Sequence, residues 1–133
     1  LEDLQETARL GRMMICISRS SLRSILIDTD GAILGEVGSD LEGRVFKTTL
    51  GRVGVACTRG GKFFTVAENM VENGARLILH PMSALTGMSF EAIDQMRSEH
   101  SAQWKYALVA ANFVGEVSGG EKYAGCSLVA LPS

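Results

Sequence analysis

The sequence has only 2 prolines, scattered with 15 glycines through 133 residues; it holds no low-complexity tract, no linker and no internal repeat. Neither sign of charge dominates. With 13 basic against 15 acidic side chains, a net charge of −2 and no Lys/Arg run, the electrostatic footprint of a nucleic-acid binder is missing. No apolar run approaches the roughly 20 residues needed to cross a bilayer, so a membrane partner is not expected either. The opening Leu1-Glu2-Asp3-Leu4-Gln5-Glu6 is polar and acidic, unlike a secretory signal. Cysteine is sparse and odd in number. Cys16, Cys57 and Cys126 each lie in apolar runs, which suits a reducing cytoplasm better than a disulfide framework, and their wide separation excludes a zinc-knuckle spacing. What remains is one globular domain, 46% hydrophobic and 21% charged, long enough to bury about two-thirds of the surface its unfolded chain exposes.

Periodicity divides the chain into short elements. Leu1, Leu4, Ala8 and Leu10 have helical spacing, with acids early, Arg9 late, and Gly11 as the expected stop. Strands are expected at 13–18, 24–28 and 32–35, the last two joined by a turn at Thr29-Asp30-Gly31. The stretch 38–43 reads as a surface loop, and 44–49 and 52–57 as a hairpin about Leu50-Gly51. Phe63, Val66, Ala67, Met70 and Val71 form the stripe of an amphipathic helix over 62–73, ended by Asn73-Gly74. Further strands are expected at 76–80, 106–111 and 127–131. A second long helix spans 89–104 with Ser89 as its N-cap, and a Gly-rich loop covers 115–125. Hairpins first and β-α-β units later imply a layered α/β protein with a mixed sheet.

Chemistry is expected where the strand 51–58 turns into the helix beginning at Lys62. Such an elbow exposes its side chain beside helix N-terminal amides and is a common mount for a nucleophile. Cys57 and Thr58 both sit there. The structural alternative is that Cys57 is a small core residue and Thr58 a helix-approach residue.

Here the sequence resembles the nitrilase, or carbon-nitrogen hydrolase, superfamily. Gly51-Arg52-Val53-Gly54-Val55 is similar to the opening of the family's nucleophile segment, Phe63 to its phenylalanine, and Gly74-Ala75-Arg76-Leu77-Ile78-Leu79-His80-Pro81 to its closing strand. Leu26 to Gly35 resembles the family's L-I-D-P-D-G hairpin, Tyr106 to Gly115 its Y-V-V-A-A-N strand, and Gly125 to Val129 the strand that follows. The resemblance implies an α-β-β-α sandwich of mixed sheets with helices on the outer faces. It also implies a Glu general base, an oxyanion-stabilising Lys and a Cys nucleophile.

By position, the nucleophile's place falls on Thr58, with Cys57 the alternative one residue earlier, where strand alternation turns it to the other face. The aromatic and acidic residues that follow the family's nucleophile are Arg59 and Gly60 here. The family's Lys segment corresponds to the shorter, acidic stretch Glu36 to Gly43; Lys47 is the nearest lysine, in a strand matching one distant from substrate. A further acidic position falls on Gln103, and the first Glu belongs to a segment upstream of Leu1. His80 is read as a strand-end residue, and His100 has no partner at metal spacing. The Gly119-Gly120 pair lacks a nucleotide-binding pattern. Neither a cofactor nor a metal is expected.

These readings predict a single nitrilase-like domain over 1–133 that lacks the family's N-terminal strands and C-terminal segment. Its expected function is that of a catalytically impaired structural or regulatory subunit, a homo-oligomer or one completed by a partner chain, with a small amide as candidate ligand. The alternatives are an active amidase or carbamoylase using a thiol, and a pocket that binds an amide without turnover.

Overall fold

The computed structural model describes residues 1–20, 23–38, 42–58, 62–82, 90–112, 115, 116, 119, 120, 122, 125 and 127–133, with backbone alone at 20, 90, 91 and 93. It is a four-layer α-β-β-α sandwich, as the resemblance implied. The outer helix α1 (Glu2–Gly11) precedes strands β1 (Ile15–Ser20), β2 (Arg23–Ile27) and β3 (Ile33–Gly38), which form an antiparallel sheet in the order β1-β2-β3. The second sheet has the order β4-β5-β6-β7-β8, from β4 (Gly43–Thr48), β5 (Gly51–Ala56), β6 (Leu77–Met82), β7 (Ala107–Asn112) and β8 (Leu128–Ala130). Helices α2 (Lys62–Glu72) and α3 (Phe90–Trp104) connect β5 to β6 and β6 to β7, making those three strands parallel between antiparallel edges.

Three apolar clusters hold the layers. Ala8 of α1, with Leu4 beside it, packs on Ile25 and Ile27. Between the sheets, Leu26 and Val37 meet Phe46, Val55 and Cys57. On the far side, Phe63, Ala67 and Met70 of α2 cover Ala56, Ile78, Leu108 and Ala110. Strand alternation sets this sorting: Val53, Val55 and Cys57 face the other sheet, whereas Gly54 and Ala56 face α2.

Most strand boundaries shift by one to three residues from the sequence expectation, β3 reaching Gly38 and β4 starting at Gly43 where a loop over 38–43 was expected, and two shifts have a local cause. Gly11 remains helical, and Arg12 takes the left-handed cap at φ 48°, its N–H donating to the carbonyls of Ala8 and Arg9. A Cβ on Gly11 would lie 2.5 Å from Met13 Cε, the far end of a flexible side chain that can yield. Strand β6 runs past His80 through Pro81 to Met82, because β7 pairs with it to the end while pairing with β5 stops at Leu79. The proline thus lies beyond the ladder with β5.

Candidate functional site

Strand β5 ends at Ala56, and Cys57 and Thr58 lead out of it toward α2. Alternation separates their side chains. Cys57 is buried between the sheets, its N–H donating to the Glu42 carbonyl at 2.7 Å and its sulfur receiving the hydroxyl of fully buried Ser24 at 3.8 Å. Cys16 lies close enough to couple with it electrostatically. Burial first, and Cys57 second, push the Cys16 thiol up to about 12. Cys57 is therefore buried in the core between the sheets, on the opposite side of the strand from Thr58.

Thr58 occupies the elbow. It is 8% exposed, and its Oγ1 is buried without a hydrogen-bond partner among the described residues. Its carbonyl accepts a hydrogen bond from His80 Nε2 at 3.2 Å. The His80 ring, stacked on Phe63 with centroids 4.4 Å apart, is buried. Since Nε2 donates, Nδ1 carries the lone pair of the neutral ring, and this atom too is buried with no partner among the described residues. Burial holds the His80 pKa down to about 4; the Thr58 carbonyl opposes that shift and the Arg97 guanidinium adds to it. Two unpaired polar atoms thus lie at the carboxyl ends of parallel strands, where α/β sheets bind ligands.

One charged pair borders the elbow. Lys62, the first residue of α2, contacts Glu42 at 3.2 Å; both are largely exposed, so the pair contributes little to stability. Lys47 is exposed and lies opposite Arg52, near the turn at the other end of the hairpin. With four residues between Arg52 and Cys57, about 17 Å of strand separate it from the elbow, which excludes it from the site. Gln103 is exposed on α3. Arg59, Gly60, Ser89, Cys126 and residues 39–41 of the expected 38–43 loop lie outside the described residues.

The sequence reading missed two partnerships. The His80–Thr58 bond needs the β5–β6 pairing, in which Val55 aligns with Leu79 and brings the next residues side by side. His100 bridges three elements: Nε2 donates to Glu68 Oε1 of α2 at 3.0 Å, and Nδ1 meets the Tyr106 hydroxyl at 2.9 Å. Phe64 and Trp104 pack on the ring, so this group ties α2, α3 and the start of β7 together behind the site. Among the described residues, no three His, Cys, Asp or Glu side chains form a metal-binding group, and no helix is long and apolar enough to cross a membrane.

No family model and no curated protein matches the sequence. Solved structures match the fold. The amidase from Nesterenkonia sp. AN1 superposes with a TM-score of 0.72 and 17% identity, over 98% of this chain and 59% of that one. Nit3 of Saccharomyces cerevisiae, a member of branch 10 of the nitrilase superfamily, gives 0.77 and 14% over 97% and 56%, and the NitFhit protein of C. elegans 0.75 and 15% over 98% and 40%. The chain has the nitrilase-superfamily fold and spans a little over half the length of the amidase and of Nit3. One amidase structure carries the acetamide moiety of fluoroacetamide at its active-site cysteine, and a cysteine-to-alanine variant holds butyramide.

Proposed function

We propose that this chain is a nitrilase-like protein of the carbon-nitrogen hydrolase type whose thiol chemistry is silent, serving as a structural or regulatory subunit, with a small amide as candidate ligand at the elbow. One observation carries this reading: the side chain at the elbow is a threonine, and the neighbouring thiol faces the core between the sheets. A thiol with a pKa near ~8.5 is readily activated by a neighbouring base, whereas a threonine hydroxyl is far less acidic. The unpaired Thr58 Oγ1 and His80 Nδ1 support binding of a small polar group such as a primary amide, which offers both a donor and an acceptor. The free thiols Cys16 and Cys57 are in keeping with a reducing, cytoplasmic setting.

A second reading is an active hydrolase in which Thr58 Oγ1, at the elbow, attacks the amide carbon; it requires a base to take the hydroxyl proton and a donor to protonate the departing ammonia. The two are separated by incubating the protein with short amides and ureido compounds while following ammonia release and thermal unfolding. The silent-subunit proposal expects butyramide to raise the melting temperature with no ammonia formed. Ammonia release abolished by Thr58→Val would replace it with the second reading. Release abolished by Cys57→Ser, or Cys57 reacting with iodoacetamide faster than Cys16, would restore the thiol mechanism and overturn the proposal.

A further inference from the structure

Helix α2 ends in a pair of residues that the elbow does not use. Asn73 is followed by Gly74, whereas Asn69 precedes Met70 and Asn112 precedes Phe113. Gly74 takes the left-handed conformation at φ 94°, its N–H donating to the Val71 carbonyl at 2.9 Å, and Ala75 N–H reaches the Met70 carbonyl at 3.0 Å. This cap leaves Asn73 exposed, with Nδ2 donating to the Asn69 carbonyl at 2.8 Å and to Asn69 Oδ1 at 3.0 Å. A second element reaches in. Arg52 of β5 donates from Nη1 to the Asn73 carbonyl oxygen at 3.0 Å, and its Cδ lies 2.9 Å from where a Cβ on Gly74 would stand. The arginine therefore lies along the Asn73–Gly74 peptide bond, an approach that glycine permits.

An asparagine before glycine carries its own electrophile. The glycine's peptide nitrogen can attack the side-chain carbonyl carbon, because no Cβ on the following residue obstructs the ring closure. The Gly74 N–H must first lose its proton, and the negative charge then spreads onto the Asn73 carbonyl oxygen. That oxygen is the atom Arg52 holds. A cation donating to an oxygen where charge develops favours the charged state. The opposing contacts are the Gly74 bond to Val71 and the Asn73 amide bonds to Asn69, all at an exposed helix end, where fraying is cheapest.

We propose that Asn73 is a self-modification site, converted to aspartate and its β-linked isomer through a cyclic imide whose formation Arg52 assists. Hydroxide takes the Gly74 amide proton, and the nitrogen forms a bond to Asn73 Cγ. The Cγ–Nδ2 bond breaks as ammonia leaves with a proton from water. Water then adds to either imide carbonyl and cleaves its bond to nitrogen, leaving a carboxylate beside Arg52. The guanidinium offsets the cost of an anion at the carboxyl end of α2.

The test holds the 133-residue chain in mildly alkaline buffer and follows the peptide containing Asn73 by mass spectrometry, with chromatography separating the two isomers. Asn73 should convert while Asn69 and Asn112 stay intact. Arg52→Gln should slow conversion about tenfold, and Arg52→Lys, which keeps the charge, should recover part of the rate. Arg52 is exposed, so the circular dichroism of both variants should match wild type. In parallel samples unfolded by urea, Arg52→Gln should have no effect. An Asn73 that stays intact in the native chain, conversion of Arg52→Gln at or above the wild-type rate, or an equal Arg52 effect in urea would each overturn the proposal.

Discussion

The Asp28 carboxylate accepts both the backbone N–H of Thr49, at 3.0 Å, and its hydroxyl, at 2.8 Å. The turn between β2 and β3 is thereby fastened to the turn between β4 and β5, one from each sheet. Asp28 also accepts the Thr29 N–H at 2.7 Å. Burial raises its pKa, but these hydrogen bonds outweigh burial and leave the carboxyl below its ordinary value. A depressed carboxylate stabilises the fold above its unfolded pKa of about 3.9, and that contribution is lost as pH falls through the lower folded value. Asp28→Ala is expected to cost about 1–3 kcal/mol at neutral pH, because Thr29 and Thr49 lose a charged acceptor in a part-buried setting. Urea titrations at pH 7 and pH 3 check this: the gap between wild type and variant should narrow at the lower pH.

His80 gives a second and separate acid dependence. Its folded pKa of about 4 lies below the ordinary histidine value, so between about 6.5 and 4 the unfolded chain binds the additional proton. Stability therefore falls as pH drops through that window, by up to about 3 kcal/mol. His80→Gln keeps a donor for the Thr58 carbonyl but cannot titrate. Subtracting its stability profile from that of wild type should give a slope confined to this window; a difference flat with pH would mean that His80 is not buried neutral.

Gly43 serves close approach. A Cβ there would lie 2.4 Å from Val66 Cγ1, a side chain held in place on α2. Gly43→Ala should cost about 1–3 kcal/mol, and Val66→Ala in the same chain should recover much of it. Gly54→Ala meets Met70 Sδ at 2.8 Å, and a flexible methionine can yield, so the smaller penalty is expected there. Chemical denaturation of the three single variants and the double variant measures the coupling.

Local pattern was enough to read the elements that carry their own signals. The α2 stripe of Phe63, Ala67 and Met70 faces the sheet, and Asp28 to Ala32 closes the expected turn, with Gly31 N–H donating to the Asp28 carbonyl. The opposed faces of Cys57 and Thr58 followed from alternation alone. The sequence did not reveal the pairing of parallel strands across helices, and the site depends on it. His80 looked like a strand end because Pro81 follows it, yet β7 sustains the strand and places the ring against Phe63. His100 likewise finds Glu68 and Tyr106 only once α2 and α3 lie side by side, 32 residues apart in the case of Glu68.

Thr58 offers a prediction in which stability and binding move in opposite directions. Its Oγ1 is buried and unpaired, a state that costs free energy with no compensating hydrogen bond. Thr58→Val keeps the shape and removes the hydroxyl, and it should stabilise the protein by about 1 kcal/mol, roughly 3–5 °C in melting temperature. If the hydroxyl is held unpaired for a ligand, the same substitution should abolish the butyramide-induced shift. Differential scanning calorimetry with and without butyramide reads both quantities at once. A valine variant that melts lower than wild type would show that Oγ1 has a structural partner, and one that still responds fully to butyramide would remove Thr58 from the binding site.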